Sequence, residues 1–152
     1  MNKRFHLAAI LLLVSLLLLA PACQKHVREG KVADRPTSIS SNWVTLTPPE
    51  PLVASKGRFQ HLDMTVSPDV LAGNDQFGLR SPNGEIVVPE VQLLDSQNNA
   101  YPLDRVGVTG QELMFSGETL GGEGRTRRFA RVQIRCQQPF TVQRIVWFDS
   151  PR

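Results

Sequence analysis

The stretch that decides the fold is Phe129–Phe148, with the sequence FARVQIRCQQPFTVQRIVWF. Its first part, Phe129–Cys136, alternates apolar and polar residues, as a β-strand does when one face is buried and the other faces water. The inward positions of that strand would be Ala130, Val132, Ile134 and Cys136.

The second part of this stretch, Phe140–Phe148, is predicted to be a central strand, because its segment Ile145–Phe148 is apolar on both faces. The alternation changes register near Gln143 and Arg144. A β-bulge at that point would bring four apolar side chains onto one face, namely Phe140, Val142, Ile145 and Trp147.

Short alternating runs separated by Gly, Pro, Asn and Ser continue outward from this stretch, and no long helical period occurs. Ser81–Gly84 and Ser96–Asn99 have the composition of hairpin turns. We therefore predict a single antiparallel β-sandwich, immunoglobulin-like or jelly-roll-like, over residues 42–152. The other strands are expected at Trp43–Thr47, Phe59–Val66, Phe77–Arg80, Glu85–Val88, Val91–Asp95, Tyr101–Leu103 and Leu113–Ser116.

The N-terminal 41 residues differ in character from this domain. Met1–Ala22 has a basic start, an apolar run at Leu7–Leu19 and small residues at Ala20 and Ala22, which is the pattern of a cleavable signal peptide. Residues 23–41 are polar without a helical or strand period. We expect them to form a flexible tether.

The residues Leu19–Cys23, LAPAC, resemble the lipobox of bacterial lipoproteins, with Ala20 where that pattern prefers Leu. The resemblance implies that Cys23 becomes the acylated first residue of the mature chain, and Gln24 after it implies the outer membrane. Cleavage by a general signal peptidase is the alternative, and it would give a soluble periplasmic or secreted protein.

Charge and cysteine content narrow the function classes. Loss of Lys3 and Arg4 with the signal peptide lowers the number of basic residues from 17 to 15, against 14 acidic ones. A net charge of +1 and export argue against a nucleic-acid partner.

If Cys23 is acylated, Cys136 is a single thiol, which we expect to be buried in the core. Without acylation of Cys23, a disulfide between Cys23 and Cys136 is the alternative.

The stretch Phe59–Leu103 resembles small immunoglobulin-like modules found in bacterial lipoproteins, and the motif that carries the resemblance is the hairpin Val91–Asp95, VQLLD, followed by Tyr101–Leu103, YPL. The resemblance covers less than half of the domain. It implies a role in binding or assembly and brings no catalytic residues with it.

Six arginines lie between residues 125 and 144. Arg131 and Arg135 share the polar face of one strand, and with Arg127 or Arg144 they could bind an anionic glycan or an acidic protein surface. The alternative is a solvated strand face that discourages edge pairing.

Three aromatic residues, Trp43, Tyr101 and Trp147, could bind carbohydrate by stacking if two of them were exposed side by side. Core packing is the alternative for each of them.

Catalytic chemistry has little support in the sequence. His61 is the one histidine of the predicted domain, and it shares a strand face with Asp63, where polar residues are expected in any case. One histidine and one thiol do not make a zinc site, and no cofactor is implied. We expect a non-catalytic, lipid-anchored binding or accessory module of the bacterial envelope, with an envelope protein or glycan as its partner. A carbohydrate-binding module is the alternative.

Overall fold

A computed structural model describes residues 26–67, 79–80, 86–109, 111–117, 120 and 126–151. The described residues form an all-β fold in which antiparallel sheets pack against one another as a β-sandwich. The predicted fold class is confirmed.

The first sheet is built around the long C-terminal strand β14 (Phe140–Pro151), which pairs with β5 (Arg58–Val66) over most of its length. Its strand order is β1-β14-β5-β11-β10, and β2 also pairs with β14. The remaining strands of this sheet are β1 (Arg28–Ala33), β2 (Thr37–Ile39), β10 (Asp104–Thr109) and β11 (Glu112–Ser116).

The second sheet has the order β3-β13-β8-β9, and all of its pairs are antiparallel. Two short pairs accompany the main sheets, β4 with β12 and β6 with β7. The strands are β3 (Val44–Leu46), β4 (Leu52–Ala54), β6 (Leu79–Arg80), β7 (Ile86–Val87), β8 (Glu90–Leu94), β9 (Ala100–Pro102), β12 (Arg127–Phe129) and β13 (Arg131–Arg135).

The bulge predicted near Gln143 is confirmed. The register between β14 and β5 shifts between Val142 and Arg144. The extra residue moves the apolar positions after it onto the inner face, so that one core holds Phe140, Val142, Ile145 and Trp147 together with residues of the second sheet.

Both predicted hairpins are formed, as β6–β7 and β8–β9. Residues 81–85 of the first turn lie outside the described residues. In the second turn, the side chain of Asp95 accepts hydrogen bonds from the backbone of Gln97 and Asn99. Asn98 adopts a positive φ of 66°, which asparagine tolerates well. The hydrogen bond from the Asn99 side chain is the main cause that lowers the pKa of Asp95.

The tether expected over residues 23–41 is wrong from Arg28 onward. β1 and β2 pair with β14, and they bury Val32 and Ile39 in the core. As edge strands they take their backbone partners from β14 and bury only a few side chains, so their sequence needs no regular apolar period. The domain therefore already includes Arg28, whereas the sequence placed its start at residue 42.

The strand predicted over Phe129–Cys136 is broken at Ala130, where β12 ends and β13 begins. Within β13, the inward positions Val132 and Ile134 are buried, as the alternation predicts. Cys136 is a free thiol with an exposed fraction of 2%, which confirms its predicted burial.

Candidate interaction surfaces at the two ends of the sandwich

The sandwich has two ends that differ in chemistry. The near end, where the described chain begins, contains residues 26–28, the turn 55–58 between β4 and β5, and residues 149–151, because Arg28 and Gln60 both pair with Asp149. The far end contains residues 40–43, 88–90 and 135–139. The hydrogen bond from the Cys136 backbone nitrogen to the Ser40 carbonyl joins the first and the last of these segments, and the pairing of Glu90 with Arg135 joins the second to the last.

At the near end, a buried polar network surrounds Asp149, whose exposed fraction is 1%. Arg58 Nε lies 3.1 Å from Asp149 Oδ1. The same carboxylate accepts hydrogen bonds from the Ser55 hydroxyl and the Gln60 amide, each at 3.0 Å. A buried carboxylate is tolerated when it is paired and hydrogen-bonded in this way.

Arg58 also fixes the beginning of the described chain. Its Nη2 donates hydrogen bonds of 2.6 Å to the carbonyl of His26 and to the carbonyl of Asp149. One guanidinium therefore joins the N-terminal segment, β5 and the end of β14.

At the far end, Arg135 is held by two neighbours on the outer face of the second sheet. Its Nε and Nη2 lie 2.9 and 2.7 Å from Glu90 Oε2, and its guanidinium carbon lies 4.3 Å from the ring centroid of Trp43. The register explains the group: Arg135 pairs with Glu90, and Ile134 pairs with Val44, directly after Trp43. We call Trp43, Glu90 and Arg135 the far-end cluster.

A row of polar side chains orders the sheet next to this cluster. The Gln92 amide donates to Gln133 at 2.7 Å, and the Gln133 amide donates to the Thr45 hydroxyl at 3.1 Å. Because each member of the row is held by the next, the outer face of the second sheet is a fixed surface at this end.

A cavity of about 630 Å³ lies beside the far-end cluster. It is bounded by Glu90 and Arg135 of the cluster, by the exposed side chain of Val88, and by Cys136 at its inner side. Burial raises the pKa of the Cys136 thiol, so this group stays protonated at neutral pH.

The four arginines proposed as one anionic-partner face divide into three places. Arg131 and Arg135 project from the same face of β13, as predicted. Arg127 lies on β12 with its guanidinium 5.0 Å from the ring centroid of Tyr101, and Arg144 is exposed on β14 in the other sheet. The prediction that Arg127 or Arg144 joins this face is wrong, because the break at Ala130 and the change of sheet separate them.

The three aromatic residues do not lie side by side. Trp147 is in the core, with an exposed fraction of 2%, and its indole nitrogen donates to the Val53 carbonyl. Tyr101 pairs with the buried Leu93, so it faces the inside of the second sheet, whereas Trp43 is on the outside. The prediction that two of these three aromatic residues form a stacking surface is therefore wrong.

His61 and Asp63 share the outer face of β5, as the alternation predicts. His61 Nε2 lies 3.6 Å from Asp63 Oδ2, and the imidazole ring packs against Phe59 and Phe148 at centroid distances of 5.2 and 4.8 Å. The pKa of Asp63 is raised, mainly by burial; His61 and Arg144 act in the opposite direction, and Glu112 adds to the rise.

Comparison of the chain with protein-family models, with curated proteins and with solved structures finds no match. No stretch of the described residues forms a helix of the length and hydrophobicity needed to cross a bilayer.

Proposed function

We propose that this protein is a non-catalytic, lipid-anchored module of the bacterial outer membrane, and that it binds another envelope protein through the far-end cluster. The anchor is the acylated Cys23, which the signal-peptide and lipobox-like residues before it support. Stable anchoring needs more than one acyl chain, as a lipoprotein cysteine carries.

The observation that carries the binding role is the stacking of Arg135 on Trp43 at the far end. Tryptophan and arginine are enriched among the residues that contribute most to protein–protein binding. Here both are held in place before a partner arrives, Arg135 by Glu90 and Trp43 by Arg135. A surface ordered in advance loses less conformational entropy on binding.

The far-end cluster fits a protein partner better than a glycan. Stacking of a sugar needs an open aromatic face, and one face of Trp43 is covered by the Arg135 guanidinium. The exposed Val88 beside the cluster adds apolar area of the kind found at the centre of protein interfaces.

Site-specific photo-crosslinking in the native cells tests this function. A photoreactive residue at Val88 should give a discrete protein adduct, which Trp43→Ala and Arg135→Ala should remove. Arg144→Ala is the matched control, because it deletes an exposed arginine from the other sheet and should leave the adduct intact. An adduct that persists in both far-end variants would place the binding surface elsewhere.

The anchor is tested separately. Cys23→Ser should move the protein from the membrane fraction to the soluble fraction and should remove the acyl mass from the N-terminal peptide. A Ser variant that stays with the membrane as the parent does would contradict lipid anchoring.

A further inference from the structure

The chain between Cys23 and the first described residue, His26, is very short. The carbonyl of His26 is bound by Arg58 at 2.6 Å, and only Gln24 and Lys25 lie between His26 and Cys23. Three Cα–Cα steps span at most about 11 Å. An acylated Cys23 would therefore hold the near end of the domain within that distance of the lipid headgroups.

The near end also carries exposed basic side chains, which an anionic surface would attract. Arg28 and Lys56 are exposed there, and the pairing of Arg127 with Ala54 brings the exposed Arg128 close to the same turn. The carboxylate of Asp149 at this end is already paired with Arg58.

Among the described residues, the other acidic groups around this end are Glu29, Glu50, Asp95 and Asp104, and the first two line a cavity together with Arg28. Asp95 accepts hydrogen bonds within its own turn, and Glu29 and Asp104 lie in the next row of the first sheet, level with His61. Val27, with an exposed fraction of 51%, adds an apolar contact beside Arg28.

We propose that the near end docks directly on anionic phospholipid headgroups, so that the domain stands upright with its far-end cluster pointing away from the membrane. This inference rests on the proposed function and names a second partner for the anchored protein. Electrostatic attraction extends over about 8 Å at physiological ionic strength, which is comparable with the reach of the short link. Each basic residue at such a surface favours the docked state about five-fold.

The experiment measures the height of the two ends above the bilayer. The acylated protein is reconstituted into vesicles that carry a nitroxide quencher on the lipid headgroup, with or without phosphatidylglycerol in phosphatidylcholine. A fluorophore is attached at Ser96→Cys, in the turn that lines a cavity with Arg127 and Arg128, or at Gln137→Cys at the far end. Acylation blocks Cys23, and burial protects Cys136.

In vesicles with phosphatidylglycerol, the Ser96 fluorophore should be quenched strongly and the Gln137 fluorophore weakly. Raising the salt, or the double change Arg28→Gln and Lys56→Gln, should lower the ratio of docked to undocked protein, about 25-fold for the double change. The charge-matched control Arg144→Gln should leave the ratio unchanged.

Equal quenching at Ser96 and Gln137, or quenching at Ser96 that does not depend on the anionic lipid, would overturn the docking inference and leave the proposed anchor standing. A purified chain that lacks the acyl mass would overturn the proposed function, and the docking inference with it.

Discussion

Two arginine–carboxylate pairs, one at each end of the sandwich, have similar distances and different surroundings. At the near end, Arg58 and Asp149 have side-chain exposed fractions of 22% and 1%. At the far end, Arg135 and Glu90 have exposed fractions of 42% and 60%. The same pair of chemical groups is buried in one place and exposed to solvent in the other.

Burial explains this difference. The carboxylate of Asp149 contacts Arg58, Ser55 and Gln60 in place of water. Removal of one of these partners would leave a buried charge that water cannot reach. Either member of the far-end pair can be solvated on its own, and such pairs contribute little to folding. A binding partner can therefore replace Glu90 or water around Arg135 at small cost.

The sharpest test of this comparison is the stability of matched arginine deletions. Arg58→Ala should lower the free energy of unfolding by about 3 kcal/mol or more, because Asp149 loses its counter-charge inside the protein. Arg135→Ala should lower it by less than about 1 kcal/mol. Urea denaturation of the mature chain measures both, and equal losses in the two variants would contradict the distinction between the ends.

The second test concerns binding at the far end. The double change Arg131→Glu and Arg135→Glu should weaken capture of the protein crosslinked at Val88 by about 2 kcal/mol, roughly 30-fold, through loss of a central arginine contact. Stability should change by less than about 1 kcal/mol, because both side chains lie on the outer face. Capture that keeps its strength and its salt dependence would show that this face is only solvated.

The third test concerns Cys136, which lines the cavity beside the far-end cluster. Cys136→Ser should lower the free energy of unfolding by about 1–3 kcal/mol, because a hydroxyl replaces a thiol at a site with an exposed fraction of 2%. In the folded protein, thiol reagents should label Cys136 slowly, since burial raises the pKa of the thiol. Rapid labelling would show that the cavity beside it opens to solvent.

The fold could be predicted from the sequence where the alternation is strong. The inward positions of β13, and those of β14 as far as Trp147, are filled by apolar residues, and even the bulge of β14 follows from the shift in that pattern. β1 could not be found in this way, because it is an edge strand with one buried side chain, Val32, and its stability comes from β14.

Only part of the candidate site could be predicted from the sequence. Period-two alternation places Arg131 and Arg135 on one face, whereas the partners of Arg135, Glu90 and Trp43, lie about 45 and 90 residues earlier in the chain. Arg58 and Asp149 are likewise 91 residues apart and meet only through the register of β5 with β14. A signal for this network exists in the sequence, since Asp149 occupies an inward position two residues after Trp147.

The contact between Asp63 and His61 is intermediate in burial between the two arginine–carboxylate pairs. It is expected to have the smallest effect on stability. The carboxylate of Asp63 is half-buried beside His61, and Oδ1 has no hydrogen-bond partner among the described residues. Because burial raises its pKa above the ordinary 3.8, the folded protein holds this proton to a higher pH than the unfolded chain does.

The free energy of unfolding should therefore fall as the pH rises from 3.8 through the pKa of the folded state of Asp63, and stay level above it. Asp63→Asn should remove this part of the pH dependence and raise stability at pH 7 by less than about 1 kcal/mol, since solvent still screens the site. Unfolding curves of the parent and the variant between pH 4 and pH 8 measure the difference, and a variant that is less stable than the parent at pH 7 would show that the contact with His61 outweighs the burial of the charge.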